Sequence, residues 1–189
     1  MNKAEIRKEY LQKRLDLEAK QQLRFDDLML LQFQQFNFNH IQSVLTYWPM
    51  GNKNEPNTHI FSSYLRHTIP HLQITYPKSN FETNTLEAIL ISEATVYKTN
   101  DYGITEPKEG LIFDPQKIDL ILMPLIAFDE FGFRVGYGKG LYDKFCKMCK
   151  SDVIKIGFSY FKPLNKIDDT NSFDVPLTYC ITPDHIYEF

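Results

Sequence analysis

Several features that would place a protein in a familiar class are missing from this sequence. The longest charge-free apolar run, residues 120–128, is too short to span a bilayer. The formal net charge is −3, so the basic excess typical of duplex-binding proteins is absent. The first residues lack the apolar core of a signal peptide, and Glu5 and Glu9 are untypical of a transit sequence. We expect a cytoplasmic monomer that binds neither membranes nor nucleic acid.

Cysteine is scarce, with three in 189 residues, and a cytoplasmic location predicts reduced thiols. Cys146 and Cys149 form a C-x-x-C pair, which can bind zinc or exchange disulfides. A zinc site would need two more ligands, and Cys180 and His185 lie at no familiar spacing. A redox pair normally begins a helix, whereas this pair lies inside a predicted one. We expect thiols that pack in the core. The five histidines form no grouping that indicates a general base.

The order of the predicted elements indicates an α/β fold. Residues 1–36 are predicted to be helical with a break near residues 16–20, and further helices are predicted at 62–67, begun by Asn57 or Thr58, and at 141–150. Apolar and β-branched runs predict strands at residues 43–48, 72–77, 86–92, 94–98, 118–124 and 153–159. Residues 50–58 and 100–110 are predicted loops. The continuous apolar run at 118–124 is typical of a strand buried on both faces.

Alternating strands and helices predict a single Rossmann-like domain over residues 1–189. Its mainly parallel sheet would be flanked by helices in three layers, with the helical segment 1–36 packed on it. No internal repeat or low-complexity tract is present.

Glycine is also rare, yet half of the eight glycines fall within residues 132–140. Gly132, Gly136, Gly138 and Gly140 follow the clearest predicted strand and precede a predicted helix. In open α/β sheets ligands bind beyond the C-terminal ends of the strands. Glycine permits a close approach to the main chain, whose free amides form a cradle for an anion. This segment is therefore the predicted ligand site.

The charged residues of the segment suit a phosphate. Lys139 lies between two glycines, and Arg134 adds a fork of donors. Asp143, in the first predicted helical turn, is placed to hold Mg²⁺ that bridges phosphate oxygens. A Walker loop would need glycine at position 133 and Ser or Thr at 140, and a Rossmann fingerprint would need glycine at 141. The residues predict a loop that binds phosphate and magnesium, but they do not assign it to a known class of nucleotide-binding loop. The alternative is a tight-turning connection with ordinary surface charges.

The stretch DLILMPLIAFDEFGFRVGYGKGLYDKF resembles the signature of the 5-formyltetrahydrofolate cyclo-ligase family, also known as methenyltetrahydrofolate synthetases. That signature is an aspartate-led strand, Pro, Ala-Phe-Asp, and then Gly-x-Arg-Leu-Gly-x-Gly-x-Gly-Tyr-Tyr-Asp. Other landmarks follow in the family's order. KAEIRKEYLQKR is similar to its opening Lys-x-x-x-Arg helix, GNKNEPNT to its Glu-x-x-Thr loop, YGITEP to its Gly-Ile-x-Glu-Pro, and NSFDVPLTYCIT to its closing segment. The resemblance covers nearly the whole chain.

The resemblance implies an enzyme that uses ATP and Mg²⁺ to close 5-formyltetrahydrofolate, with or without a polyglutamate tail, into 5,10-methenyltetrahydrofolate. ADP and phosphate would be released by way of a phosphorylated formyl group. The residues implied for ATP are Lys3, Arg7, Arg134, Gly136, Tyr137, Gly138, Lys139 and Gly140. Those implied for magnesium are Asp143 and Asp174, and those for folate are Met50, Glu55 and Tyr142. The catalytic assignments are Arg134, Lys139 and Tyr142.

Without the resemblance, plainer interpretations apply to several of these residues. Lys3 and Arg7, four apart on one helix face, would be solvated charges. Glu55 would be an exposed loop carboxylate, Tyr142 a packing residue and Asp174 a turn or cap. Lys78 could meet the glutamate tail of a folate, although a surface lysine is the simpler interpretation.

The chain departs from the signature at two positions. Leu125 stands where glycine usually follows the strand proline, and Leu141 replaces the first tyrosine of Gly-Tyr-Tyr-Asp. These departures support an alternative, a catalytically weak paralogue that binds folate and nucleotide and buffers 5-formyltetrahydrofolate. A third hypothesis is a sugar-phosphate isomerase-like protein, which would take a monophosphate without ATP and leave Lys3 and Arg7 idle.

Overall fold

The computed structural model describes residues 1–189 as a sheet of eight strands with helices on both faces. The helices are α1 (Lys3–Leu15), α2 (Ala19–Phe33), α3 (Thr58–Thr68) and α4 (Leu141–Cys146). The strands are β1 (Ser43–Leu45), β2 (Gln73–Asn80), β3 (Thr85–Leu90), β4 (Tyr97–Thr99), β5 (Thr105–Pro107), β6 (Leu111–Phe113), β7 (Leu120–Met123), β8 (Ala127–Phe128), β9 (Arg134–Val135), β10 (Ile154–Phe158), β11 (Tyr179–Ile181) and β12 (Ile186–Glu188). None of the helices has the length and apolar character needed to cross a bilayer.

The main sheet has the strand order β12-β11-β10-β7-β1-β2-β3-β6. Its centre, from β11 to β2, is parallel, and β12, β3 and β6 are added antiparallel at the edges. The prediction of a mainly parallel sheet is confirmed. Because parallel strands end at the same edge, the segments that follow β1 and β7 meet there, and this edge is where ligands bind in such sheets.

Strand β7 is buried on both faces, as its apolar run predicts. Leu120 and Leu122 pack in the cluster that α2 and α3 cover. Ile121 and Met123 pack on the opposite face, in the cluster that includes Phe145 of α4. Since successive side chains of a strand alternate between faces, only an unbroken apolar run can fill both clusters.

Helix α1 lies beyond the sheet, against the β8–β9 hairpin. The side chain of Asn2 accepts from the amides of Ala4 and Glu5, and the Glu5 side chain accepts from the amide of Asn2, which forms a capping box. Ile6 is fully buried against Ala127 and Val135 of the hairpin. This contact fixes which face of α1 is turned toward the segment after β9.

Several predicted boundaries are wrong, and the strand predicted at 43–48 ends at Leu45. The loop predicted over residues 100–110 contains strand β5, which pairs with β4 across a turn. The strand predicted at 94–98 begins only at Tyr97. The helix predicted over 141–150 ends at Cys146, because the amides of Met148 and Cys149 bond only three residues back, to Phe145 and Cys146.

All three cysteines are buried and free, and no three-residue cluster of potential metal ligands is present. Cys146 and Cys149 lie in the core beneath α4, as expected for packing thiols. Burial raises the pKa of Cys146 to about 11 and that of Cys149 to about 12, so both thiols are protonated near neutral pH. Cys149 lies outside α4, contrary to the predicted helix.

Candidate active site

One pocket of about 480 Å³ opens beyond the C-terminal ends of β1 and β7. Every residue that the family resemblance assigns to ATP, magnesium or folate contributes to its lining. These residues are Lys3, Arg7, Met50, Glu55, Arg134, Gly136, Tyr137, Gly138, Lys139, Gly140, Tyr142, Asp143 and Asp174. Residues up to 171 positions apart in the chain therefore meet in one cavity, since the side chains of Lys3 and Asp174 are in contact there. Lys78 is not among the lining residues, and its Nζ donates to the carbonyl of Lys108.

Residues 136–143, hereafter the glycine loop, form one wall of the pocket. None of their backbone amides donates a hydrogen bond to another protein group, and the first amide that does is that of Lys144, to the carbonyl of Gly140. Gly138 and Gly140 have φ of 91° and 65°, values that glycine adopts without steric cost. A run of unpaired amides beside a cavity is the chemistry of an anion site.

Helix α1 holds the glycine loop from outside. Nε of Arg7 donates to the carbonyl of Gly136 at 2.8 Å. A Cβ added at Gly138 would lie 3.3 Å from the guanidinium of Arg7, so a side chain there would force Arg7 to move. The i, i+4 spacing of Lys3 and Arg7 therefore turns both cations toward the pocket, as the sequence predicts.

Four charged residues of the pocket form two opposite pairs. Nζ of Lys3 is 2.5 Å from Oδ2 of Asp174, and Nη1 of Arg134 is 3.2 Å from Oδ1 of Asp143. Oδ2 of Asp174 and Oδ1 of Asp143 also accept a backbone amide each, while the second oxygen of each carboxylate has no protein partner. Lys139 is exposed, with Nζ 5.6 Å from the ring centroid of Tyr102.

A chain of hydrogen-bonded polar groups connects the glycine loop to a second part of the pocket lining, which includes Met50 and Glu55 and is hereafter the Glu55 side. Arg14 donates to the hydroxyl of Tyr137 at 2.6 Å, and that hydroxyl donates to Oε1 of Glu55 at 2.6 Å. Oε2 of Glu55 accepts the amide of Met50 at 2.7 Å. Glu55 is only 8% exposed, which overturns its default interpretation as a surface carboxylate. Burial raises the pKa of Glu55, although its hydrogen bonds and Arg14 oppose the shift.

Tyr142 lies in the pocket wall with its hydroxyl oxygen buried and without a hydrogen-bond partner. Burial raises the pKa of Tyr142 well above its ordinary value, so the group is a neutral donor. A buried hydroxyl usually finds a partner, and this one has none within the protein.

Sequence reasoning missed two buried residues of this region, Arg14 and Glu106. Arg14 is 2% exposed and lies seven residues beyond Arg7, on the same helix face, so the helical repeat was an available signal. Glu106 lines the pocket within the YGITEP landmark, and its carboxylate accepts from the amide of Ser79 at 3.0 Å and from Asn100 at 3.2 Å. Burial raises the pKa of Glu106.

The two departures from the signature have different surroundings. Leu125 is buried in the core, where its side chain lies 2.4 Å from the point that a Cβ on Gly157 would occupy. Leu125 thus fills space that a glycine on β10 leaves open, away from the pocket lining. Leu141 is 8% exposed and belongs both to that core cluster and to the pocket wall.

The chain is similar to known proteins in sequence and in fold. Residues 1–183 match the model of the 5-formyltetrahydrofolate cyclo-ligase family. A 5-formyltetrahydrofolate cyclo-ligase of Mycoplasma pneumoniae is 29% identical over 163 residues, which cover 85% of this chain and 86% of the relative. An NMR structure of Aquifex aeolicus 5,10-methenyltetrahydrofolate synthetase superposes with a TM-score of 0.81 at 27% identity, covering 100% of this chain and 93% of that one. The Mycoplasma pneumoniae synthetase structure gives 0.75 at 25% identity, covering 97% and 100%.

Proposed function

The chain belongs to the 5-formyltetrahydrofolate cyclo-ligase family and is an enzyme of that class, and on this basis we propose that it converts 5-formyltetrahydrofolate to 5,10-methenyltetrahydrofolate with ATP and Mg²⁺. The carrying observation is the glycine loop, whose unpaired amides line a pocket together with Arg7, Arg134 and Lys139. Such a site suits a polyphosphate, because its donors are fixed in place before the anion arrives.

The chemistry explains why a nucleotide is needed. The oxygen of a formamide is a poor leaving group, so the formyl oxygen first accepts the γ-phosphoryl group. N10 then attacks the formyl carbon and loses its proton, and phosphate leaves with the oxygen as the ring closes. No protein nucleophile is required, and the task of the enzyme is alignment and charge neutralisation.

The cations at the glycine loop fit the proposed nucleotide. Arg7 is anchored by Gly136, so it holds the loop and presents its remaining donors at the loop surface. Arg134 is 9% exposed and its Nη1 also donates to the carbonyl of Val175 at 2.7 Å, which fixes its orientation. Exposed Lys139 is the mobile cation, free to follow charge that develops on the transferred group.

The carboxylates fit Mg²⁺ bound jointly with phosphates. The protein offers no cluster of three acidic, His or Cys ligands, but Asp143 and Asp174 each keep one oxygen without a protein partner. Magnesium commonly takes one or two carboxylates and completes its shell with water and substrate phosphates. When bound, the ion would neutralise phosphate charge. Lys3 and Arg134, which pair with these two carboxylates in the free protein, would then pair with phosphate oxygens instead.

The Glu55 side of the pocket and Tyr142 fit the folate. Glu55 lines the pocket with a buried carboxylate that accepts one hydrogen bond at each oxygen, and Tyr142 has a buried hydroxyl without a protein partner. Met50, Trp48 and Phe81 add apolar surface for a ring system. Pockets of this kind combine an apolar lining with a few placed polar groups.

The weak-paralogue alternative depends on Leu125 and Leu141. Leu125 packs against Gly157 in the core and does not contribute to the pocket lining, so it gives no reason for lost turnover. The isomerase-like alternative has no use for the contacts that Lys3 and Arg7 make at the pocket. The cyclo-ligase function therefore accounts for more of the site.

The test is direct turnover. Purified protein is incubated with 5-formyltetrahydrofolate and MgATP, and the absorbance of the methenyl product is followed together with ADP. We expect equal amounts of both products, and a loss of about 10²-fold in kcat/KM for Lys139→Ala, typical of removing one charge-stabilising donor. Lys166→Ala is the matched control, because Lys166 is exposed and makes no ion pair or side-chain hydrogen bond. Folded protein that forms no methenyl product would refute the proposal.

A further inference from the structure

Tyr137 connects the glycine loop to the Glu55 side of the pocket. Its backbone lies in the loop between Gly136 and Gly138, and its side-chain hydroxyl donates to Glu55. The phenol ring therefore spans from the proposed phosphate site to the proposed folate site.

The direction of the hydrogen bonds along this connection is fixed. Arginine has only donors, so Arg14 must donate to the Tyr137 hydroxyl at 2.6 Å. The hydroxyl proton is then available only for Glu55, whose Oε1 is 2.6 Å away. A single proton thus ties the loop tyrosine to the carboxylate.

The far end of the connection is anchored on the main chain. Arg14 also donates to the carbonyls of Lys53 at 2.7 Å and Leu125 at 2.9 Å, which lie in the segments after β1 and after β7. With the guanidinium held at both carbonyls, Arg14 cannot follow a moving tyrosine without losing buried hydrogen bonds. The connection is therefore anchored at Arg14.

The loop end of the connection is the part that a phosphate would contact. The amides on both sides of Tyr137 have no protein acceptor, and the carbonyl of Gly136 is held by Arg7. A ligand that takes these amides fixes the backbone of Tyr137. The same event fixes the ring and, through its hydroxyl, the carboxylate of Glu55.

We propose that Tyr137 is a positioning residue that couples the two halves of the site, so that nucleotide bound at the glycine loop and folate bound at Glu55 each tighten the binding of the other. The inference rests on the proposed function, because it takes the two ligands from it. Coupling of this kind is reciprocal by thermodynamic linkage and typically amounts to 5–150-fold in affinity.

Calorimetry measures the coupling. A non-hydrolysable ATP analogue with Mg²⁺ is titrated into the protein alone and into protein saturated with 5-formyltetrahydrofolate. We expect folate to tighten the nucleotide about tenfold. In Tyr137→Phe, which keeps the ring and removes the hydroxyl, this factor should fall toward one, whatever the affinity of each ligand alone.

A matched control separates this role from general effects of losing a phenol hydroxyl. Tyr64 lies on α3, and no hydrogen bond of its hydroxyl to the protein is present, so Tyr64→Phe should keep the tenfold factor. An unchanged factor in Tyr137→Phe would overturn the inference, as would a factor of one in the unaltered protein.

Steady-state kinetics distinguishes failure of the inference from failure of the proposed function. In the unaltered protein, KM for ATP should fall about tenfold between low and saturating 5-formyltetrahydrofolate, whereas in Tyr137→Phe it should be independent of folate. Turnover with a folate-independent KM in the unaltered protein would leave the function standing and reject the coupling. Absence of both turnover and binding would reject both.

Discussion

The two ends of strands β1 and β7 have opposite hydrogen-bonding states. At their N-terminal ends, Oδ2 of Asp119 accepts the amides of Gln42 at 2.8 Å and Ser43 at 3.0 Å, and Oδ1 is 2.5 Å from Nζ of Lys150. The Ser43 hydroxyl closes this cluster by donating to the carbonyl of Lys117 and accepting the amide of Asp119. Beyond the C-terminal ends lies the glycine loop, whose amides have no protein acceptor.

The difference separates stability from binding within one sheet. Polar groups that are paired inside the protein contribute to the free energy of unfolding, whereas donors without an internal partner are available to a ligand. Mutations at the N-terminal ends of β1 and β7, hereafter the closed end, should therefore change stability and leave ligand binding unchanged. Mutations beyond their C-terminal ends, hereafter the open end, should change ligand binding and leave stability unchanged. Substitutions at three residues test this division.

Asp143 at the open end should have the largest effect. We expect Asp143→Ala to lower kcat by about 10²–10³-fold, because it removes a proposed magnesium ligand, with little change in folate affinity. Asp143→Asn is the sharper variant, because its side-chain oxygen can still accept the Val175 amide that Asp143 accepts at 3.0 Å. Its kcat should fall as far as that of the alanine variant, as measured against Mg²⁺ concentration.

The result for Asp143→Asn decides between two roles. Normal turnover would mean that Asp143 only orients Arg134 and the chain before β11. An equal loss of turnover and folate affinity in both variants would mean that the residue serves the fold, and the division between the two ends would fail.

Asp119 at the closed end should give an intermediate effect, on stability alone. Asp119→Ala leaves the amides of Gln42 and Ser43 without their acceptor, and we expect a loss of about 2–3 kcal/mol in the free energy of unfolding. Asp119→Asn keeps an oxygen for these amides and should lose about 1 kcal/mol. Urea unfolding measures both, and KM for ATP and folate should not change. A shift in either KM would contradict the separation of the two ends.

The pH dependence gives a second measurement on Asp119. Burial opposes its ionisation, but the hydrogen bonds from Lys150, Gln42 and Ser43 outweigh this effect and lower the pKa of Asp119. A lowered pKa means that the carboxylate stabilises the fold above its ordinary pKa and that this contribution is lost as the pH falls through the folded-state value.

Features of the fold that depend on local pattern could be predicted from the sequence. Strand β7 fills both core clusters with four consecutive apolar residues, Leu120–Met123, and such a run can be recognised from the sequence alone. Strand β5 cannot be recognised in this way, because Thr105–Pro107 is extended through its pairing with β4 and its packing near β2. The early end of α4 likewise depends on the turn by which Cys149 enters the core.

The same distinction applies to the site. The glycines of the loop and the spacing of Lys3 and Arg7 are local signals, and the structure brings all of these residues to one pocket. The burial of Glu55 is not local, since it requires the segment after β1 to fold back beneath α1, where Arg14 donates to Lys53 and to Tyr137. Whether a charged residue is exposed or buried is decided by distant elements, so sequence patterns leave it open.

Asp26 on α2 provides the smallest and last test, because it is a buried carboxylate near the open end that does not line the pocket. Its Oδ1 accepts from the hydroxyl of Tyr160 at 3.0 Å and from the amide of Asn57 at 3.3 Å. Burial outweighs these bonds and raises the pKa of Asp26 from 3.8 to about 6. Between these two values the unfolded chain releases the proton first, so stability falls as the pH rises and the loss is complete above the folded-state value.

Asp26→Asn keeps an oxygen for both donors and removes the titration. The free energy of unfolding of Asp26→Asn relative to the unaltered protein should therefore rise by about 2 kcal/mol between pH 4 and pH 7.5, because part of the proton release by the unfolded chain already takes place below pH 4. Urea unfolding at the two pH values measures this difference, and turnover at pH 7.5 should be unchanged because Asp26 contacts no residue of the pocket wall through its side chain. A pH-independent difference would mean that water reaches Asp26. A change in turnover would mean that Asp26 on α2 also contributes to the site. The residues that affect binding would then not be confined to the pocket lining.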